Sequence, residues 1–307
     1  MKQLEINKNY LLLKNWWETL DLTNYEKSFF NRDIISFNQQ LIRFKEKKLR
    51  IGAYGKSGVG KSSVLNSLLK KNIFKTDIIN GTTREIQSEV WTLKDQTLNS
   101  LELLDSPGFD FCNIKFPDKV YSSINNSDLI LFIVSGDLNR NELREISSFI
   151  RDGKKIIVIL NKVDFFNKNE LKEIFENIKS KLPKDLNIPI IINHQNNLKN
   201  YITKVINHYG EIFLTLNSLQ LADKLFIKIK EQRLKRRQKL AQSTIGKFST
   251  IKASTVALNP FILVDIAGSF ALDTALINEL SKIYGLKLKS ESTKKIFKNI
   301  SINNLCL

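Results

Sequence analysis

A chain of 307 residues, 42% of them hydrophobic, can bury one large core or two modest ones, so disorder is not the default expectation. The formal net charge of +17 favours phosphate-rich partners, either RNA or an anionic membrane surface, although the abundance of Lys, Asn and Ile is also typical of an AT-rich genome. The two cysteines lie too far apart for a disulfide framework, and no hydrophobic secretion signal opens the sequence. We therefore expect a cytoplasmic protein.

The N-terminal segment, residues 1–48, has apolar residues at helical spacing with charged residues between them. The pattern is clearest at Phe30, Ile34, Phe37, Leu41 and Phe44. It predicts one or two amphipathic helices. We expect their apolar stripe to pack on the neighbouring domain rather than to face a membrane.

From residue 49 to about Gly210, short apolar runs alternate with longer helical segments, which predicts a mostly parallel sheet with helices on both faces. The predicted buried strands are 49–54, 100–105, 129–135, 156–161 and 188–192, with an edge strand at 87–93. The predicted helices are 61–71, 118–126, 139–151, 168–181 and 197–209. The fold class is thus α/β.

The C-terminal third, residues 211–307, is nearly free of strand patterns and predicts an all-helical module. A basic helical stretch covers 213–242, and a long apolar stretch covers 254–280, with Asn259-Pro260 breaking it near the start.

The segment GKSGVGKSS, residues 55–63, follows a predicted buried strand and opens a predicted helix. It has the spacing G-x-x-x-x-G-K-[ST] of a phosphate-binding loop, in which backbone N–H groups surround the phosphates. We assign Lys61 to the outer phosphates and Ser62 to a magnesium ion. The phosphate-binding residues predicted from this loop are Gly55, Gly58, Gly60, Lys61, Ser62 and Ser63.

Two further motifs follow in order along the chain. DSPG (105–108) ends a strand, which places the Asp105 carboxylate near the magnesium and the Gly108 N–H near the γ-phosphate. NKVD (161–164) ends another strand, and the Asp164 carboxylate can accept two hydrogen bonds from guanine, a pair that adenine cannot donate. Asn161 is expected to brace this loop and Lys162 to lie against the purine ring. The cofactors predicted are GTP or GDP with Mg²⁺.

These motifs resemble those of the translation-factor-related GTPases, and within them the Era-like group. The resemblance covers about residues 49–210. It implies that GTTRE (81–85) is the first switch, with Thr83, or alternatively Thr82, as the ligand of magnesium and the γ-phosphate. A loop contacting the guanine oxygen is expected after strand 188–192, where Asn193 stands in for the usual residues.

Two positions bear on catalysis, for which we name Lys61, Thr83 and Gly108. Phe109 stands where Ras-like enzymes have a glutamine that orients the attacking water, and Gly58 stands where potassium-dependent members have an asparagine. Slow intrinsic hydrolysis is therefore expected, accelerated by a protein activator, a membrane or dimerisation. Arg84 is either an arginine finger or a surface charge.

In the apolar stretch, Asp265, Ser269 and Asp273 recur every four residues and form one polar stripe. The helix is expected either to pack in a helical domain or to enter a membrane with the stripe facing a partner helix. The stretch resembles the YcjF-like family of helical domains in its Pro260, Asp265 and Ile283-Tyr284-Gly285. That resemblance implies membrane association, peripheral or integral at the cytoplasmic face.

Three functions follow. The first is a guanine-nucleotide switch at a membrane. The second is a GTPase that assists RNA or ribosome assembly through the basic helix. The third is a nucleotide-gated scaffold that self-assembles, similar to dynamin-like or immunity-related GTPases.

Overall fold

The computed structural model describes residues 2–74, 86–92, 98–108, 118–194, 197–258 and 262–286. The chain divides into two compact units, Met1–Leu225 and Phe226–Leu307.

The first unit contains a six-stranded sheet within the described residues. Its strands, in chain order, are β1 (Lys48–Tyr54), β2 (Gln87–Thr92), β3 (Ser100–Asp105), β4 (Leu129–Val134), β5 (Ile156–Leu160) and β6 (Ile190–Ile192). Their spatial order is β2-β3-β1-β4-β5-β6, and all pairs are parallel except β2 with β3. The predicted α/β fold class is confirmed.

Apolar content explains which strands lie at the centre of the sheet. Every residue of β4 and β5 is buried, as expected for strands covered on both faces, whereas β2 alternates at the edge. The last predicted strand, 188–192, is shorter than expected because it begins only at Ile190. Pro189 lacks an N–H and contributes only its carbonyl, which accepts from the Val158 N–H.

Four helices accompany the strands: α4 (Lys61–Leu69), α5 (Asp118–Asn125), α6 (Arg140–Arg151) and α7 (Lys168–Lys181). Local sequence sets the starts of two of them. Asn139 caps α6 in a reciprocal pair with Glu142, and Asn167 caps α7 in the same way with Glu170. Short 3-10 helices lie at Val163–Phe165 and Lys184–Leu186.

The N-terminal segment forms three helices, α1 (Lys2–Thr19), α2 (Asn24–Phe29) and α3 (Asn31–Lys45). Four members of the predicted apolar stripe are buried: Phe30, Phe37, Leu41 and Phe44. Helix α3 contacts both α1 and β1, and the ring of Phe37 lies 4.9 Å from that of Trp17. The stripe therefore packs within this unit.

The helix expected at 197–209 does not end there. Helix α8 (Asn197–Leu258) has 62 residues, and Gly210, near which we expected the sheet domain to end, lies inside it. A side chain at Gly210 would begin 2.6 Å from Cδ1 of Leu98, so the glycine permits close packing rather than ending the helix. No proline interrupts the segment, and its basic residues are good helix formers.

A buried polar cluster connects separate segments of the first unit at the amino ends of the strands. Asp128, just before β4, accepts hydrogen bonds from the Arg50 N–H (2.7 Å), Arg43 Nη1 (3.0 Å) and Asn217 Nδ2 (2.7 Å). Lys154 Nζ donates to Asn217 Oδ1 at 2.5 Å. We call this group the basal cluster: Gln40, Arg43, Asp128, Lys154 and Asn217. No local pattern in the sequence predicted it.

In the second unit, α8 ends at Leu258 and α9 runs over Ile262–Tyr284. Lys252 Nζ contacts both carboxylate oxygens of Asp273 at 3.0 Å, so this member of the predicted polar stripe pairs with α8. Gly285 follows α9 with φ +70°, and the Leu286 N–H returns to the Ser281 carbonyl, as in a glycine helix cap. The side chains of Asp265 and Ser269, and all of Pro260, lie outside the described residues.

Crossing a membrane takes about 20 consecutive apolar residues in one helix. Across the described ranges, no helix is both long and apolar enough to span a membrane.

Candidate functional site

The predicted functional loops leave the sheet at one edge. The phosphate loop follows β1, DSPG follows β3, NKVD follows β5, and the loop containing Asn193 follows β6. Because these strands are parallel, their carboxyl ends lie at the same edge, and β1 lies between β3 and β4, where the chain order reverses. Ligands of open α/β sheets bind at such a switch point.

The glycines of the phosphate loop have conformations that other residues rarely adopt. Gly55, Gly58 and Gly60 have φ of +152°, +78° and +89°. A Cβ at Gly55 would lie 2.3 Å from the Ile133 carbonyl oxygen, so the loop passes directly over β4. These backbone constraints explain why glycine stands at the predicted positions.

Lys61 begins α4 and is buried, and its Nζ donates to the Lys56 carbonyl at 2.9 Å across the loop. No side chain caps the start of α4. Its first N–H groups therefore point toward the loop without a side-chain acceptor, which suits an anion. Ser63 and Gly58 are exposed at the same place.

The Ser62 hydroxyl donates to Oδ2 of Asp105 at 2.5 Å. Asp105 is fully buried, and its Oδ1 has no hydrogen-bond partner. Burial raises the pKa of Asp105, while the Ser62 hydrogen bond and the Lys61 charge oppose that rise. A buried carboxylate oxygen without a donor, next to a serine hydroxyl, fits a hard cation such as Mg²⁺.

The DSPG loop lies directly against the phosphate loop. A Cβ at Gly108 would be 2.3 Å from Cα and 2.4 Å from N of Ser57. The Ser106 hydroxyl donates to the Ala53 carbonyl at 2.7 Å and is fully buried. Glycine at position 108 therefore lets the two backbones touch, and the Gly108 N–H stays beside the phosphate loop.

Asn161 connects three loops. Its Nδ2 donates to the Val59 carbonyl of the phosphate loop at 2.8 Å, and its Oδ1 accepts from Asn193 Nδ2 at 2.7 Å. Lys162 has a left-handed backbone, φ +58°, and turns the chain so that the exposed Asp164 follows. Asn161 thus contacts both the phosphate loop and Asn193, and its role in bracing the guanine loop stays a prediction.

Two contacts of helix α6 were not predicted from the sequence. Lys56 Nζ lies 3.4 Å from Oε1 of the buried Glu142, and the Tyr54 hydroxyl donates to Glu145 at 2.9 Å. These bonds attach α6 to the residues that lead into the phosphate loop. The capping box with Asn139 is a local sequence signal for Glu142 in the first turn of α6. The ion-pair partner of Glu142, Lys56, comes from a distant segment.

Several predicted residues cannot be placed. Thr82, Thr83, Arg84 and Phe109 all lie outside the described residues. The described part of the site therefore brings together the phosphate loop, the DSPG motif and the NKVD motif. The first switch lies outside the described residues.

The sheet order and these loops define a P-loop nucleotide-binding fold of the GTPase type. Residues 50–162 match the family model described as 50S ribosome-binding GTPase, and residues 220–307 match a domain of unknown function, DUF697. Residues 50–162 are therefore similar to that GTPase family and residues 220–307 to the DUF697 domain, in agreement with the resemblances to Era-like and YcjF-like proteins.

Known GTPases are similar to part of this chain. GTPase Der of Buchnera aphidicola subsp. Acyrthosiphon pisum is 32% identical over 147 residues, 45% of this chain and 32% of the relative. The tRNA modification GTPase MnmE of Malacoplasma penetrans is 32% identical over 208 residues, 66% of this chain and 44% of the relative. The chain thus spans less than half the length of these relatives.

Among solved structures, a variant of Era from Aquifex aeolicus bound to GDP and AlF4⁻ aligns with a TM-score of 0.45. It is 24% identical, and the alignment covers 53% of this chain and 56% of that one.

Proposed function

We propose that this protein is a guanine-nucleotide switch that binds GTP with Mg²⁺ and hydrolyses it slowly to GDP and phosphate. The observation that carries the proposal is that the Ser62–Asp105 pair and the Asn161 brace lie at the carboxyl ends of parallel strands of one sheet, β3 and β5, on the two sides of the phosphate loop after β1. A nucleotide bound there would contact the residues assigned to its phosphates, its metal ion and its base.

Each group has a role that follows from its position. The backbone of residues 55–60 and the N-terminus of α4 hold the phosphates, and the Lys61 ammonium faces the outer ones. Ser62, Asp105 and, from the first switch, Thr83 would hold magnesium, with Asp105 acting through water. Bound there, magnesium would neutralise charge on the phosphates. The Gly108 N–H would donate to the γ-phosphate.

Base recognition gives the first test. The Asp164 carboxylate accepts two hydrogen bonds from guanine, whereas an amide at that position offers one donor and one acceptor, which suits xanthine. We expect Asp164→Asn to weaken GDP binding at least 100-fold and to gain binding of xanthosine diphosphate. The matched control is Asp185→Asn, at another exposed aspartate. Equal GDP affinity in both variants rejects the assignment of the guanine site.

Slow turnover rests on Phe109, which cannot orient a water molecule as a glutamine does. An activator, a membrane or a second copy of the chain, with Arg84 as one candidate finger, would supply the missing group. Phosphate release should therefore be slow at low protein concentration and rise with concentration or with lipid. A fast rate per molecule, independent of protein concentration, contradicts this part of the proposal.

The C-terminal helical module is proposed to associate with an anionic membrane surface. Ten Lys and Arg lie between residues 224 and 252, and Leu234 and Leu240 are exposed among them on α8. Each basic residue near an anionic surface contributes about 1 kcal/mol, and exposed leucines add apolar contact at the interface.

Flotation of the purified protein with anionic and neutral liposomes, with GDP or a non-hydrolysable GTP analogue, tests this association. Flotation that survives high salt supports entry of apolar side chains, and nucleotide dependence supports the switch. If the protein never floats but binds RNA in a salt-sensitive way, the basic helix serves RNA instead.

A further inference from the structure

A second concave site lies in the first unit, away from the nucleotide loops. It is a cavity of about 570 Å³ between α8 and the amino ends of β4 and β5. Its walls are mainly apolar and aromatic, and include Leu129, Ile156, Val205, Tyr209, Ile212 and Phe213. Because the nucleotide loops leave the carboxyl ends of the same strands, the two sites lie at opposite edges of the sheet. The volume is typical of pockets for small organic ligands, about 300–1,000 Å³.

The charged residues that line this cavity are of one sign. Lys154 and Lys155 line it, and none of its lining residues is acidic. Lys155 is exposed, whereas Lys154 is only 8% exposed. The cavity therefore combines mainly apolar walls with two basic residues.

Charge in the basal cluster is not balanced. Its buried cations are Arg43 and Lys154, and its buried anion is Asp128. Asp128 is already engaged by Arg43 and by the Arg50 N–H, and Lys154 reaches a neutral amide oxygen, that of Asn217. Buried charges are costly unless an opposite charge pairs with them. Lys154 is thus a surplus buried cation that lines a mainly apolar cavity.

The lowered pKa of Lys154 agrees with that charge imbalance. Burial, and next the charge of Lys224, lower the pKa of Lys154 to about 8, against the opposing effects of Asp128 and Asp152. An anion in the cavity would stabilise the charged ammonium. An uncharged apolar ligand would leave it uncompensated.

We propose that this cavity binds a single-chain amphiphile with an anionic head, of the class of long-chain carboxylates, with the chain along the apolar wall and the head at Lys154. The surplus cation selects the charge of the ligand, and the aromatic and aliphatic wall selects its chain. This site is independent of nucleotide binding and does not rest on the proposed GTPase function.

The test uses the full-length protein and calorimetric titration with laurate and with dodecanol, which has the same chain without the charge. Laurate is expected to bind at least 10-fold more tightly than dodecanol. In Lys154→Met, that preference should fall below about 2-fold. Absence of laurate binding to the unmodified protein, or equal affinity for both probes, overturns the proposal.

A second pair of variants avoids the buried cluster. Ile212 and Leu219 are both 51% exposed on α8, but only Ile212 lines the cavity. Ile212→Glu places a negative charge at the mouth and should abolish laurate binding, while Leu219→Glu should leave it unchanged. Equal losses in both variants indicate general surface adsorption and contradict the site. Unchanged binding of fluorescent GDP to every variant shows that the fold is intact.

Discussion

The side-chain amide of Asn193 donates a hydrogen bond of 2.7 Å to Oδ1 of Asn161, and Asn161 Nδ2 donates one of 2.8 Å to the Val59 carbonyl. This chain of two bonds runs from the loop after β6 through the guanine loop to the phosphate loop. Asn193 therefore fixes the side-chain orientation of Asn161, and the base and phosphate parts of the site share one support.

Removing this support should weaken nucleotide binding without unfolding the protein. For Asn193→Ala we expect GDP affinity to fall about 5-fold, since one hydrogen bond contributes about 1 kcal/mol and 1.4 kcal/mol corresponds to a factor of ten. Fluorescent GDP titration measures the change. His194→Ala is the control, because His194 is the adjacent exposed residue. Equal affinities in the two variants would show that Asn193 does not position Asn161.

Gly108→Ala should separate the DSPG loop from the phosphate loop. The added methyl group would meet the Ser57 backbone at 2.3 Å, and that backbone cannot move without distorting the phosphate loop. We expect at least a 10-fold loss of affinity for a non-hydrolysable GTP analogue. Gly136→Ala, at a loop glycine with no atom within 4 Å of the new methyl, should bind normally. Normal binding by both variants would contradict the close approach.

The buried Arg43–Asp128 pair should dominate the stability of the basal cluster. Arg43→Met leaves Asp128 as a buried anion without its main partner, which costs on the order of 3–5 kcal/mol in the free energy of unfolding. Lys181→Met removes a partly exposed pair with Asp137 and should cost less than about 1 kcal/mol. Urea unfolding at pH 7 compares them, and similar losses would refute this ranking.

Lys154 should make stability depend on alkaline pH. Between pH 8 and 10.5 the unfolded chain keeps a proton on Lys154 that the folded protein has released, so the free energy of unfolding rises with pH. Lys224 and Arg43 favour this release, and Asp128 and Asp152 oppose it. Relative to Lys154→Met, the unmodified protein should gain on the order of 3 kcal/mol across that range.

The measurement for Lys154 is urea unfolding at several pH values, with no amphiphile present. A constant difference between the two proteins from pH 8 to 10.5 would mean that the pKa of Lys154 is the same in the folded and unfolded states.

The elements and loops of the sheet domain were predictable because each has a local signal. Buried strands are short apolar runs, helices start at Asn139 and Asn167 with capping boxes, and the phosphate loop has fixed glycine positions. The observed strand bounds differ from the predicted ones by a residue or two. The larger differences arise at Pro189, which delays β6, and at Gly210, which a helix of this length tolerates.

The basal cluster and the Lys56–Glu142 pair could not be predicted, since their members come from segments far apart in the chain. Gln40 and Arg43 look like solvent-facing residues of an amphipathic helix, and only the folded arrangement brings them to Asp128, which also accepts from Asn217. Polar residues buried by distant contacts leave no periodic pattern in a sequence. The same holds for Asn193, whose role depends on its distance from Asn161.

The space that a side chain at position 60 would need is already occupied: its Cβ would lie 2.4 Å from Nδ2 of Asn161. A larger residue at 60 would therefore displace the Asn161 amide, and with it the bond to Val59 and the acceptor for Asn193. Substitutions at the two positions should show strong epistasis, with the double variant far from the sum of the single ones. The conformation of the phosphate loop and the orientation of the guanine loop are thus coupled through one point of contact, although about a hundred residues separate its two members in the chain.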